Sequence, residues 1–274
     1  MKPAEFAYRA VTTIDAALEA LEDDAARPLA GGQSLIPMMN FRLAFPELLI
    51  DLNPVAELAG IEEVDGALRI GAMTRQAALE RSALVARGWP LLTDAIVHVG
   101  HTATRNRGTV GGSVAHADPA AELPVALTAL GARFRVRAAC GDRTLAPGEF
   151  FTGTLSTALG PGELLVAVDV PAPPPGARMG FAEHSRTHGD FALAGAAAVL
   201  APGGHASVAL LGAGPGPVTD TAVERALRDG AGPAEAAQLA AGGVADPYRR
   251  ALLRVLTRRA LQRAGAGTGE TTWA

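Results

Sequence analysis

Lysine and cysteine are nearly absent from this 274-residue chain, and each absence excludes a class of site. Cys140 is the only cysteine, so the chain forms no internal disulfide and cannot by itself hold an iron–sulfur cluster through several thiolates. Lys2 is the only lysine, whereas the phosphate-binding P-loop has a lysine directly after its glycines. The glycine-rich stretches of this chain are therefore not P-loops.

Long apolar runs and an excess of basic charge are also missing. The formal net charge of −4 does not indicate the basic surface with which proteins bind nucleic acid or an anionic membrane. No uncharged apolar run reaches the roughly 20 residues that span a bilayer, and the N-terminus lacks the apolar core of a signal peptide. With 49% hydrophobic and 19% charged residues, the composition indicates a soluble globular protein, which we expect in the cytoplasm.

Two glycine-rich stretches organise the sequence: LAGGQSLIP at Leu29 to Pro37 and RNRGTVGGSVAHADPAAELP at Arg105 to Pro124. Each places a glycine pair and a serine where apolar sequence gives way to turn-forming sequence. Glycine lacks a Cβ and adopts positive φ, so successive N–H groups can converge on a phosphate, and the serines add hydroxyl donors. One Gly-Gly pair alone is usually a tight turn, but two matched pairs favour one large anionic ligand.

Other chemically active residues form weaker patterns. His184 and His188 have the spacing of metal ligands on one helix face, but their segment is predicted to be strand and turn. Asp118 and Glu122 are also four apart, which fits either an acid/base pair or a capping carboxylate with a solvated glutamate. No Gly-x-Ser-x-Gly nucleophile motif is present. We therefore assign no catalytic residue and no metal ligand to the chain.

Local patterns predict an α+β fold. Asp65-Gly66 predicts a two-residue hairpin, because both turn positions favour positive φ. Thr74 is expected to cap the helix that follows it, Gly131 to end the helix from Glu122, and a strand is expected from Phe191 to Leu200.

A proline-rich stretch, PAPPPG, is typical of a linker and places a domain boundary at about Pro174. The predicted parts are an N-terminal domain over 1–174, with subdomains 1–53 and 54–174, and a smaller C-terminal domain over 175–274. The C-terminal domain is predicted to contain antiparallel sheet and helices and to end in a tail from Ala264.

Three long motifs, AGGQSLIPMMNFRLAFPELLIDLN, RNRGTVGGSVAHADPAAELP and RTHGDFALAGAA, closely resemble the FAD-binding medium subunit of molybdenum hydroxylases. This is the family of carbon monoxide, nicotine and xanthine dehydrogenases. The likeness runs from about Phe6 to the C-terminal helices. It implies a two-part FAD-binding domain with paired glycine-rich phosphate loops, followed by the smaller sheet-and-helix domain.

The resemblance also assigns residues to the cofactor. The family's first phosphate loop falls on Ala30, Gly31, Gly32, Gln33 and Ser34, with Leu35 and Ile36 beside it, and the second falls on Thr109, Val110, Gly111, Gly112 and Ser113. Asp118 and Glu122 match acidic residues that lie against the ribityl and phosphate region of the flavin. Leu165 matches an apolar flavin contact, and Arg186 matches a basic position near the isoalloxazine ring, where positive charge stabilises reduced flavin.

The implied function is electron transfer with noncovalent FAD. The chain would accept electrons from [2Fe–2S] clusters on a small subunit and pass them from FAD to an external acceptor, while a molybdopterin-binding large subunit carries out hydroxylation. One departure is TATRNRG at Thr102 to Gly108, where the family has PQIRNRG; it could alter packing near the iron–sulfur partner or the flavin ring. Two alternatives stay open: a stand-alone FAD-dependent oxidoreductase, and a flavin-free binding or redox-neutral biosynthetic protein on the same fold.

Overall fold

The structure, a computed structural model, describes residues 2–265. The predicted tail therefore lies almost entirely outside the described residues. The N-terminal part is a three-stranded parallel sheet in the order β1-β3-β2. Its elements are β1 (Ala7–Ala10), α1 (Ile14–Ala20), β2 (Ala26–Leu29), α2 (Leu35–Asn40) and β3 (Leu48–Asp51). The first glycine stretch is thus the loop that joins β2 to α2.

The middle part is built on a five-stranded antiparallel sheet. After a 3₁₀ turn at Ala56–Leu58, its strands are β4 (Ile61–Val64), β5 (Ala67–Gly71), β6 (Arg133–Ala138), β7 (Gly141–Leu145) and β10 (Leu164–Val170). They lie in the order β4-β5-β10-β6-β7. The predicted hairpin is confirmed, since Asp65 and Gly66 have φ of 52° and 77° between β4 and β5. β6 buries Phe134 and Val136 and turns its arginines outward.

Helices cover one side of this sheet, and a small hairpin closes its end. The helices are α3 (Gln76–Arg81), α4 (Ala83–Gly88), α5 (Pro90–Ile96), α6 (Thr102–Arg107), α7 (Val110–His116), α8 (Glu122–Ala129) and α9 (Pro147–Phe150). The hairpin pairs β8 (Phe151–Gly153) with β9 (Ser156–Thr157). Gly131 has φ of 67° just after α8, which confirms it as the helix stop.

Thr74 does not cap α3, contrary to the sequence prediction. Its hydroxyl donates to Gly60 O at 2.8 Å and accepts from Gly60 N at 3.0 Å, and Arg75 takes the N-cap position. The reason is tertiary: β5 brings the Gly60 loop beside Thr74, and this loop offers both a donor and an acceptor.

The C-terminal part is a four-stranded antiparallel sheet with helices on one side. It comprises β11 (Arg178–His184), β12 (Ala194–Ala201), β13 (His205–Leu211), β14 (Val218–Thr219), α10 (Thr221–Arg228), α11 (Pro233–Ala236), a 3₁₀ turn at Ala237–Leu239 and α12 (Pro247–Gly265). The predicted strand from Phe191 begins only at Ala194. Phe191 instead belongs to the loop between β11 and β12 and is 74% exposed.

The two faces of the C-terminal sheet pack against different neighbours. Alternating residues follow the period-two rule of strands: Ala197 and Leu211 join the core that contains α5 and α8, whereas Ala198 and Leu210 join the core that contains α12. The sheet beyond the proline linker therefore shares a core with the middle part, and the division at Pro174 stays a prediction. No helix within residues 2–265 combines the length and the apolar character needed to cross a membrane.

Candidate functional site

A cleft of about 550 Å³ lies where the first glycine loop, α7, the start of α8 and the β11–β12 loop meet. Its volume is within the usual range of ligand sites, about 300–1,000 Å³. Most of the residues assigned to the cofactor line it: Ala30, Gly31, Gly32, Gln33, Ser34, Leu35, Thr109, Gly111, Gly112, Ser113, Asp118, Glu122 and Leu165. Residues from three separate parts of the chain thus surround one cavity.

The first glycine loop presents free backbone donors. Gly32 has φ of 72°, a conformation that few side-chain-bearing residues adopt. Within residues 2–265, the N–H groups of residues 31–35 donate to no protein acceptor. Ser34 begins α2 without a side-chain cap bond, so its hydroxyl is also available. This arrangement fits an anionic group held by successive N–H donors.

The second glycine loop differs from the sequence prediction, because the fold already uses its N–H groups. Val110 N and Gly111 N donate to Thr74 O and Ala72 O at 3.0 and 2.8 Å. Gly112 N donates at 3.0 Å to the hydroxyl of Thr109, which caps α7, and Ser113 N donates to Thr109 O at 3.1 Å. Gly111 and Gly112 therefore serve close packing here, and the Ser113 hydroxyl remains available as a donor.

The two loops contact each other through backbone atoms. A Cβ on Gly31 would lie 2.8 Å from Gly108 Cα and closer still to the carbonyl oxygen of Arg107. A Cβ on Gly111 would lie 2.7 Å from Ala72 Cα at the end of β5. Close approach of backbone atoms therefore requires the first glycine of each pair.

Arg75 and Asn53 link the two glycine loops through side-chain hydrogen bonds. Arg75 donates to Arg107 O at 2.5 Å and to Asn53 Oδ1 at 2.6 Å, and Asn53 donates to Ala30 O at 3.1 Å. The position of the first loop relative to the second is thus fixed by side-chain hydrogen bonds as well as by the glycine contacts.

Arg105 anchors α6, the helix that precedes the second loop. It is buried, makes a two-point ion pair with Glu80 of α3 at 2.8 and 3.1 Å, and donates to Val99 O and Gly100 O. Thr102 and Ala103, two of the three residues of α6 that depart from the family pattern, are exposed. The third departing residue, Thr104, is half-buried and lines the cleft. The departure TATRNRG therefore changes both the surface of α6 and one residue of the cleft wall, and it leaves the contacts of Arg105 in place.

Asp118 and Glu122 both line the cleft, but neither caps α8. Asp118 accepts from Ala120 N at 2.8 Å. Glu122 is only 7% exposed, so it is not the solvated glutamate of one sequence interpretation. Burial is the main cause that raises the pKa of Glu122 to about 8, and the nearby carboxylates Glu183 and Asp118 raise it further.

Three assigned residues lie outside this cleft. Ile36 lines an adjoining cavity of about 350 Å³ behind the first loop, together with Arg107. Val110 is fully buried in the core. Arg186 is exposed on the β11–β12 loop, whose Gly189, Asp190 and Phe191 line the cleft instead. Contact of these three residues with a cofactor stays a prediction.

The cleft also contains residues that sequence reasoning missed. Met73 and Gln76 come from the segment after β5, Thr104 from α6, and Glu163 from the approach to β10. Phe191 stands in the quoted motif RTHGDFALAGAA, but the sequence predicted it to be a strand residue and gave no sign that it lines the cleft. The others become neighbours only through tertiary folding.

The histidines do not converge on a metal. His184 ends β11 and is exposed, and the His188 ring lies 6.2 Å from that of His101, centroid to centroid. Among residues 2–265, no three His, Cys, Asp or Glu side chains form a metal-binding group.

Comparison with known proteins places this geometry among flavin-binding subunits. The family model described as "FAD binding domain in molybdopterin dehydrogenase" matches residues 4–173. The 6-hydroxypseudooxynicotine dehydrogenase complex subunit alpha of Paenarthrobacter nicotinovorans is 44% identical over 73% of this chain and 68% of its own length. The carbon monoxide dehydrogenase medium chain of Afipia carboxidovorans is 36% identical over 97% of this chain and 99% of its own length.

Solved structures agree with these relatives. A chain of carbon monoxide dehydrogenase from Hydrogenophaga pseudoflava superposes with a TM-score of 0.92 at 36% identity, covering 97% of this chain and 99% of that one. A chain of quinoline 2-oxidoreductase from Pseudomonas putida 86 superposes with a TM-score of 0.90 at 36% identity and the same coverage. The likeness extends through the C-terminal sheet and helices.

Proposed function

The chain belongs to the family of FAD-binding domains of molybdopterin dehydrogenases, and on this premise we propose that it carries electrons from [2Fe–2S] clusters of a partner, through FAD, to an external acceptor. Family membership confirms the resemblance and the α+β fold predicted from the sequence. The chain is an FAD-binding oxidoreductase subunit of a multi-subunit molybdenum-containing dehydrogenase, whose molybdenum cofactor and iron–sulfur clusters are on other subunits.

The observation that carries the proposal is the row of free N–H groups over residues 31–35 at the floor of the cleft. A diphosphate is the anionic part of FAD, and such a row binds phosphate oxygens without requiring a lysine. Ser34 and Ser113 add hydroxyls from the two loops. These residues fit the diphosphate, whereas the carboxylates of Asp118 and Glu163 fit groups that donate hydrogen bonds, such as sugar hydroxyls.

The apolar wall of the cleft fits the flavin ring. Leu164 and Leu165 of β10, Val99 and Phe191 contribute apolar surface to the cavity. Bound FAD supplies the redox chemistry, since a flavin accepts and releases electrons singly or in pairs. The chain itself supplies position, a cleft that fits the cofactor and the local charges.

The partner surface in this proposal is α6 together with the exposed side of the C-terminal part of the chain. Thr102, Ala103 and Asn106 are exposed on α6, directly before the second glycine loop. Arg105 fixes this helix to the body of the protein, so the surface is rigid. A rigid surface beside the cofactor cleft is the arrangement that electron transfer between subunits requires.

The proposal is tested by anaerobic reduction of the flavin with and without the partners. The chain is purified alone and together with molybdopterin-binding and [2Fe–2S] partner subunits, and candidate substrates of the relatives' types are added. We expect the flavin absorbance to bleach only in the assembly. Rapid substrate-dependent bleaching of the isolated chain would contradict the electron-transfer role and support a stand-alone oxidoreductase.

A further inference from the structure

A chain of side-chain hydrogen bonds connects strand β1 with the first glycine loop. The strands β1, β3 and β2 are parallel, and they end at the same edge of the sheet with Ala10, Asp51 and Leu29. In open sheets of this kind, ligands bind outside the carboxyl ends of the strands. The first glycine loop begins directly after Leu29, at that edge. Side chains at this edge can therefore set the position of the loop.

The first link joins Tyr8 to Asp51. Tyr8 lies on the same face of β1 as Ala10, which is paired with Asp51. The Tyr8 hydroxyl donates to Asp51 Oδ2 at 2.5 Å. Burial alone would raise the pKa of Asp51, but hydrogen bonds from Tyr8 and Asn53 hold it below its usual value. Asp51 is therefore a carboxylate at neutral pH and only accepts hydrogen bonds.

The next links pass through the side-chain amide of Asn53. Its nitrogen donates to Asp51 Oδ1 and, at 3.1 Å, to Ala30 O, while its oxygen accepts from Arg75 at 2.6 Å. These partners fix the orientation of the amide, because the first two offer only acceptors and Arg75 offers only donors. Within residues 2–265, no other donor reaches Ala30 O. Asn53 is thus the side chain that holds the residue before the glycine pair.

The last link reaches the second glycine stretch. Arg75 donates to Arg107 O at 2.5 Å, and a Cβ on Gly31 would lie 2.8 Å from Gly108 Cα. Ala30 is therefore held by a hydrogen bond and the residue after it by backbone contact. The N–H groups of residues 31–35 follow directly and donate to no acceptor within residues 2–265. Their direction depends on these anchors at one end of the loop and on α2 at the other.

We propose that Tyr8, Asp51 and Asn53 are positioning residues for FAD, whose hydrogen bonds aim the free N–H groups of residues 31–35 at the diphosphate. The inference rests on the proposed function, since it concerns FAD in this cleft. None of the three side chains lines the cleft, so they act through Ala30. Hydrogen bonds weaken when their distance or angle departs from a narrow range. A loop released from this network therefore binds the diphosphate less tightly.

The first test uses flavin-free protein and does not depend on the proposed function. The amide N–H resonances of residues 31–35 are compared by NMR in wild type, Asn53→Ala and Tyr8→Phe. We expect both variants to shift these resonances, and Tyr8→Phe to shift them less, because it acts through two further residues. Tyr248→Phe is the matched control, since it removes the chain's other tyrosine hydroxyl, which is exposed at the start of α12. Unchanged resonances in Asn53→Ala would overturn the positioning role.

The second test measures FAD binding in the same variants. Fluorescence quenching gives the dissociation constant, and phosphorus NMR of the bound diphosphate reports its surroundings. We expect Asn53→Ala to raise the dissociation constant about 2–12-fold, the equivalent of one net hydrogen bond, and to shift the phosphorus resonances. Tyr8→Phe should change both quantities in the same direction by less. A merely structural role would lower the free energy of unfolding and leave the dissociation constant and the phosphorus spectrum unchanged.

The outcomes separate this inference from the proposed function. Wild-type FAD affinity with an unchanged phosphorus spectrum in Asn53→Ala overturns the positioning role and leaves FAD binding intact. Failure of the wild-type protein to bind FAD overturns the proposed function, and the amide resonances of residues 31–35 then decide alone whether the network positions the loop. If Asn53→Ala does not fold, Tyr8→Phe decides, because it removes one oxygen atom from a residue that is 57% exposed.

Discussion

Gly31→Ala tests whether the two glycine loops form one site through direct contact. The new Cβ would lie 2.8 Å from Gly108 Cα and 3.0 Å from the carbonyl carbon of Arg107, both backbone atoms. Carbon atoms pack at about 3.5–4.0 Å, so the loops must separate by roughly 0.5–1 Å. Overpacking of this kind costs about 1–3 kcal/mol. If the loops stay together in the flavin-free protein, the strain lowers the stability of that protein. If they separate there, FAD binding must bring them back together, and the loss appears as weaker FAD affinity.

The assay combines urea unfolding of the flavin-free protein with FAD titration by fluorescence quenching. We expect the losses in unfolding free energy and in binding free energy to total about 1–3 kcal/mol, equivalent to ~5–150-fold if binding alone carries them. Gly88→Ala is the matched control, because it lies in α4 with no atom within 4 Å of the added Cβ. The control should bind FAD normally and be slightly more stable. If Gly31→Ala changes neither quantity by more than about 0.5 kcal/mol, the contact between the loops does not shape the site.

Three further changes test other parts of the account. Gly32→Val should lose flavin. Gly131→Val is the control, because Gly131 has a similar φ of 67° and open space around it, so this variant should have comparable backbone strain and keep flavin. Equal flavin contents in the two variants would show that the first loop is not part of the site. Arg105→Met should lower the free energy of unfolding in urea by about 1–3 kcal/mol, because it leaves the partly buried carboxylate of Glu80 without its cation. Adding Glu80→Leu should recover most of this loss. A loss below about 1 kcal/mol would contradict the role of Arg105 as anchor. The raised pKa of Glu122 means that the unfolded state ionises first, so wild-type stability should fall from pH 4.5 to about 8, and Glu122→Gln should not follow this fall. The gap between the two proteins should approach ~5 kcal/mol by linkage at pH 8, and parallel curves would show that Glu122 is ionised throughout.

Elements set by local chemistry were predictable from the sequence. The hairpin at Asp65-Gly66 depends only on the ability of these two residues to adopt positive φ, and the end of α8 depends on Gly131 in the same way. The failures have a different origin. Thr74 has the chemistry of a helix cap, but Gly60 competes for its hydroxyl, and Gly60 is brought there by strand pairing.

The candidate site also has features that the sequence predicted and features that only the fold determines. The glycine pairs could be recognised in the sequence as candidate ligand-binding loops, because only glycine permits the close contacts at Gly31 and Gly111. Their uses are not visible, since only the fold determines that the donors of Gly111 and Gly112 are already occupied while those of residues 31–35 are free. The raised pKa of Glu122 likewise depends in part on Glu183 of β11, a residue some 60 positions further along the chain.

Release of the bound cofactor from purified protein tests the central claim most directly. The claim is that free N–H groups over residues 31–35 and the cleft above them hold FAD without a covalent bond. Acid precipitation of the protein should leave a white pellet and a yellow supernatant that contains one FAD per chain. A colourless protein that also fails to bind added FAD, or a pellet that retains the yellow colour, would contradict the account.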